Sequence, residues 1–86
     1  MENWNRVDDL AELSKVAIMA LARAIHDGDA GNHAAGSWMQ ESVGNQINHA
    51  VKHMQNVQMP NPNDPEPHLE HLICRAVMAL ALRQRT

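Results

Sequence analysis

The sequence has no phenylalanine and no tyrosine, and its two aromatic residues are Trp4 and Trp38. A core must therefore be assembled from Leu, Ile, Val, Met and Ala, which are smaller or more flexible than an aromatic ring. One cysteine, Cys74, excludes an internal disulfide framework and a multi-cysteine zinc module. The mainly apolar stretches are broken by Lys15, Arg23 or Arg75, so the roughly 20 uninterrupted apolar residues of a transmembrane helix are missing. Seven Lys and Arg stand against ten Asp and Glu with no basic block, which argues against a duplex DNA binder that neutralises many phosphates. A single nucleotide needs only a few cations and stays within reach. Met1-Glu2-Asn3-Trp4 lacks the charged and apolar regions of a secretory signal, and the expected setting is cytoplasmic.

What is present is helical periodicity with firm punctuation. Val7, Leu10, Leu13, Ala17, Leu21 and Ala24 recur at helical spacing, with Asp8, Asp9 and Glu12 at the positive end of the dipole and Gly28 placed to end the helix. Asp29 to Gly36 reads as a loop or lid. Ser37 is a candidate N-cap for a second helix whose stripe runs Met39, Val43, Ile47, Ala50, Val51, Met54 and Val57, and Gly44 within it suggests close packing. The proline-rich run Met59 to Pro67 cannot continue that helix. Asp64 can cap a third, with Pro65 at its first position and Leu69, Leu72, Ile73, Ala76, Val77, Leu80 and Ala81 as its buried stripe. The prediction is one all-α domain, 1–86, with helices over about 7–27, 37–57 and 65–84. A three-helix core of this size contributes only a few kcal/mol of net stability, so association into a homo-oligomeric helical bundle is expected.

The polar borders of the second and third helices carry the chemistry. Ser42, Gln46, His49 and His53 share one border at about 100° per residue, and His68, His71 and Arg75 form a comparable strip. The short intervening loop suggests antiparallel neighbours and a polar cleft between them. Imidazole and guanidinium suit anion contacts, with phosphate the natural ligand. Six histidines in 86 residues bring this reading level with that of solvated helix edges. The pairs His49/His53 at i,i+4 and His68/His71 at i,i+3 also suit a transition metal, with Asp64 or Glu70 as oxygen ligands, although no His-Glu-x-x-His sequence is present. Cys74 faces away from the His68/Arg75 strip and reads as packing, and Trp38 as an anchor for the preceding loop or a platform for a base.

Gly36-Ser37-Trp38, the stretch Ile47-Asn48-His49-Ala50-Val51-Lys52-His53-Met54, and Asp64-Pro65-Glu66-Pro67-His68-Leu69-Glu70-His71 before an Ala- and Leu-rich helix follow one another in a characteristic order. In that order the chain resembles the phage dATP/dGTP diphosphohydrolase N-terminal domain family, over nearly its whole length. The resemblance implies purine-nucleotide handling in a phage context, with Lys52, His53, Asp64, Glu66, His68 and His71 at matching positions. Here Ser37 replaces the family's Asn before Trp, and Pro67 replaces its Gly between Glu66 and His68.

A Mg²⁺-dependent pyrophosphate hydrolase needs several converging carboxylates, and no Glu-x-x-Glu pair is present to face a second acidic pair. The expected function is therefore binding of a phosphorylated purine nucleotide, or a cyclic nucleotide, with no cofactor required. Trp38, His49, Lys52, His53, His68, His71 and Arg75 would be ligand contacts, with the Asn32-His33 segment near the base. In a phage-encoded protein in the host cytoplasm this would sequester a nucleotide signal of host defence intact. The alternative is a metal-dependent purine dNTP diphosphohydrolase with Asp64, Glu66 and Glu70 on Mg²⁺ or another divalent ion. A protein-binding inhibitor of a host enzyme is a further alternative.

Overall fold

A computed structural model of the chain describes residues 6–30, with side chains as far as 28, and 34–85. Its order is α1 (Arg6–Ala30), a 3₁₀ turn (Ser37–Gln40), α2 (Val43–Gln58) and α3 (His68–Gln84), with no strand among the described residues. The architecture is all-α. Helix α3 is the middle layer: α2 packs along it, and α1 packs against it separately. Ala20 and Ala24 of α1, Ala50 of α2, and Cys74, Ala79 and Leu82 of α3 are the buried hydrophobic residues. Small side chains at these contacts let the helix backbones approach closely, which sets where the polar borders meet. No described helix is long and apolar enough to cross a membrane.

Three helix boundaries differ from the sequence expectation, each for a local reason. Gly28 does not end α1, which runs on to Ala30. A helical glycine costs only about 1 kcal/mol relative to alanine, too little to terminate a helix that neighbours support. The second helix begins at Val43 rather than near Ser37, because Gly36 takes a left-handed φ of 76° and leads into the 3₁₀ turn, and Glu41 is then extended. Ser42 is the cap instead: its Oγ accepts the Asn45 N–H at 3.0 Å. The third helix begins at His68 rather than 65. Asp64 uses Oδ1 to accept the Glu66 N–H at 3.0 Å, closing a turn, and Pro67 disfavours helical geometry at Glu66.

The apolar stripes are less buried than their periodicity suggests. Val7, Leu10 and Leu13 are 75%, 69% and 66% exposed, and Met39 and Met54 are also exposed. Gly44 marks no close packing either, since it is exposed and a Cβ there would meet only Ser42 Oγ, at 4.0 Å. Ile47, Val51, Met54 and Leu80 are exposed along an open apolar groove of about 330 Å³ that, among the described residues, is lined by α2 and α3 alone.

Candidate functional site

The opposite border of the α2/α3 pair is polar and converges. His53, in the third turn of α2, and His68, in the first turn of α3, bring their Nδ1 atoms to 2.9 Å. Glu66, in the loop just before α3, places Oε2 3.2 Å from His53 Nδ1, 3.0 Å from His68 Nδ1 and 3.2 Å from His71 Nδ1. The rings of His68 and His71 lie 5.1 and 5.3 Å, centre to centre, from that of His53. One carboxylate oxygen is thus ringed by three imidazole nitrogens from two helices.

Two further carboxylates stand behind these imidazoles. Asp64 Oδ2 lies 2.7 Å from His68 Nε2, and Asp27 Oδ2 of α1 lies 2.9 Å from His71 Nε2. Each of these carboxylates faces an Nε2, and the Nδ1 of the same ring faces Glu66. Asp64 is held below the usual carboxylate range by the His68 hydrogen bond and then by the Glu66 N–H. Burial pushes His53 below the usual imidazole range; Glu66 opposes the shift, and His71, His68 and Arg75 add to it.

A second polar knot lies further along the same border. Gln46, fully buried, donates from Nε2 to Glu41 Oε2 at 2.9 Å and to the Trp38 carbonyl at 3.3 Å. Arg75 Nη1 donates to Gln46 Oε1 at 2.8 Å and to Glu41 Oε2 at 3.0 Å. Asn45 Nδ2 donates to Glu41 Oε1 at 2.6 Å. The extended backbone at Glu41 turns its carboxylate into this knot, so the break between the 3₁₀ turn and α2 is what builds it. No buried side-chain N or O atom among the described residues lacks a partner.

Of the residues singled out from sequence, His53, His68, His71, Asp64 and Glu66 come together in one cluster. Arg75 belongs to the Gln46/Glu41 knot, and His49 stands at its edge, with Nε2 3.9 Å from Glu41 Oε1. Trp38 sits in the 3₁₀ turn with the Arg85 guanidinium 5.4 Å from its ring centre. Lys52 is exposed on α2. Glu70 points to α1, where Arg23 Nε donates to its Oε2 at 2.6 Å, apart from the imidazoles. Asn32 and His33 lie outside the described residues. Asp27 and Glu41 were not selected from sequence. Asp27 could have been: Ala20, Ala24 and Asp27 share one face of α1, and two alanines there mark a close approach to a neighbour.

The arrangement can hold a divalent ion among His53, Glu66 and His68, whose donor atoms converge. It can meet anions through imidazoles and Arg75 only if the carboxylates Glu41 and Glu66 are offset, because phosphate and carboxylate repel at these distances. No curated protein and no solved structure matches the chain. A family model does match, over residues 2–86, which takes in both polar knots and all three helices. The chain therefore belongs to the family described as dATP/dGTP diphosphohydrolase, N-terminal.

Proposed function

We propose that this domain binds a phosphorylated purine nucleotide along the α2/α3 polar border, with the phosphates toward His53, His68 and His71 and the base toward Trp38. The observation that carries this reading is the convergence of imidazoles from two helices, in a chain whose family is described by two purine deoxynucleotides. The purine class rests on that family description. Arg75, already positioned by Gln46 and Glu41, supplies the guanidinium best placed to fork onto a phosphate that displaces Glu41. The ring of carboxylates supports a nucleotide that arrives with a divalent cation, which neutralises phosphate charge and accepts carboxylate oxygens. In a phage-type protein, retention of intact nucleotide would withhold a signal of host defence.

The test is a thermal-shift series of chelator-treated protein with dATP, dGTP and cyclic purine nucleotides, with and without Mg²⁺, followed by mass spectrometry of the recovered ligand. A nucleotide that prefers the native state must raise the melting temperature as its concentration rises. Recovery of intact nucleotide supports binding alone. No shift with any nucleotide overturns the reading in favour of a protein partner. A second reading, hydrolysis of dATP or dGTP, is favoured by the family description together with Asp64 and Glu66 standing among the imidazoles. A cation-dependent product that Glu66→Gln abolishes while helicity persists would establish it.

Self-association belongs to the same proposal. The chain exposes 6737 Å², against about 5,100 Å² for a folded monomer of this mass. Its radius of gyration of 14.6 Å exceeds the roughly 12 Å of a compact chain of this length. Exposed apolar residues lie on α1 and along the α2/α3 groove, where a second copy of the same helices is chemically matched.

A further inference from the structure

We propose that His53, Glu66 and His68 form a three-ligand site for one first-row transition-metal ion of the zinc class. The inference goes beyond nucleotide binding and does not depend on it, since all three donors are the protein's own side chains. Their spacing is the first support. Ligands about 2.0–2.1 Å from a common ion, at tetrahedral or octahedral angles, lie about 2.9–3.4 Å from one another. His53 Nδ1, His68 Nδ1 and Glu66 Oε2 are 2.9, 3.0 and 3.2 Å apart pairwise.

Ring orientation is the second support. Asp64 and Asp27 lie against the Nε2 of His68 and His71 respectively, so the Nδ1 of each ring is the nitrogen turned toward Glu66 Oε2, at 3.0 and 3.2 Å. A cation seated there would take the Nδ1 lone pair of His68 and release any proton it carries. The outer carboxylates also have the role that orients histidine ligands in metal centres: they fix the tautomer and raise the basicity of the nitrogen facing the ion.

Donor chemistry chooses the ion. Magnesium prefers an octahedron of oxygens and keeps its waters, whereas this cluster presents one carboxylate oxygen and two imidazoles. Nitrogen-rich sets with a single carboxylate suit zinc, iron, cobalt or nickel, and open coordination positions would be left for a ligand oxygen. The site is also pre-organised. Glu66 is pinned by its N–H to Asp64 Oδ1 at 3.0 Å and by its carbonyl to the His68 N–H at 2.9 Å, so the loop and the start of α3 move as one piece.

The test uses the full chain, stripped with chelator and free of nucleotide. Co²⁺ is titrated optically, with competition by Zn²⁺ and by a large excess of Mg²⁺, and X-ray absorption at the zinc edge counts imidazole ligands. The expected result is one ion per chain, d–d bands of a nitrogen-containing site, displacement by Zn²⁺ and none by Mg²⁺. Affinity should fall more than about 100-fold in His68→Asn and Glu66→Gln and about 10- to 100-fold in Asp64→Asn. His26→Asn, on an exposed residue of α1 outside the cluster, should leave it unchanged. Circular dichroism checks that each variant is helical; for one that is not, the edge spectrum of the unmodified chain decides. Absence of stoichiometric binding, an all-oxygen shell, equal competition by Mg²⁺, or folded variants with undiminished affinity would overturn the site. Nucleotide-induced melting shifts are read separately, so failure of the metal site and failure of nucleotide binding are distinguishable.

Discussion

Gln46 is the residue on which most of the second polar knot depends. It is 0% exposed, and it ties Arg75, Glu41 and the Trp38 carbonyl together through both ends of one amide. Replacing it by leucine removes these bonds and strands part of the charge of Arg75 and Glu41 in a partly dry setting. Hydrogen bonds to charged groups contribute about 1.5–3 kcal/mol, and unsatisfied partners add to the loss. Gln46→Leu is expected to destabilise the domain by about 2–4 kcal/mol in urea unfolding, and a loss below about 0.5 kcal/mol would show the knot to be inconsequential. Cys74, buried in α3, has its thiol pushed up by burial against the opposing effect of Arg75. The unfolded thiol, with an ordinary pKa of about 8.5, then ionises first, so stability falls as pH rises through and above that range. Alkylation at neutral pH should be much slower in the native protein than in urea, and Cys74→Ala should flatten the high-pH loss of stability.

At the scale of elements, two glycines make opposite predictions. Gly36 holds the left-handed turn that lets the 3₁₀ segment precede α2, and an added Cβ would meet Met39 Cε at 2.8 Å. The methionine tip can move, but the backbone conformation cannot be relieved, so Gly36→Ala is expected to cost about 1–2 kcal/mol. Gly28 lies within α1, where a Cβ would have no neighbour within 4 Å, and Gly28→Ala should stabilise by up to about 1 kcal/mol. Thermal unfolding of the two variants side by side checks the pair, and shifts of the same sign would contradict it. The presence of a helix and its exact start differ in how far a sequence reveals them. Periodicity located all three helices, because it is a property of each segment alone. Their starts were missed at Ser37 and Pro65, because an N-cap is chosen by which side chain reaches an amide. Ser42 and the Asp64 turn prevail through contacts that no spacing rule ranks.

At the scale of the whole molecule, surface is in excess. The forward half of α1 carries Val7, Leu10 and Leu13 into solvent, while the part that packs on α3 is marked by Ala20 and Ala24. Burying such residues is worth about 1.5–3 kcal/mol each, enough to drive association of a small domain. Light scattering after gel filtration is expected to give a mass of two or more chains of 9.6 kDa, and Leu10→Glu with Leu13→Glu should lower it. A monomer at high protein concentration would refute self-association.

The sequence by itself determined an all-α chain, the proline-rich break between the last two helices, and the histidine-bearing border on each of them, because helix phase is local. Even so, it placed His49 and His53 on one strip and His68, His71 and Arg75 on another, as the two walls of a single polar cleft. Only the tertiary structure divided them into an imidazole and carboxylate cluster around Glu66 and a guanidinium knot around Gln46. It also sent Glu70 to Arg23 and brought Asp27 from α1 to His71, 44 residues away. The physical reason is that side chains at a border have two or more partners within reach. Which one each takes depends on how closely the alanine-lined helices pack and on the path of the loop before α3, neither of which is written in the period of either helix.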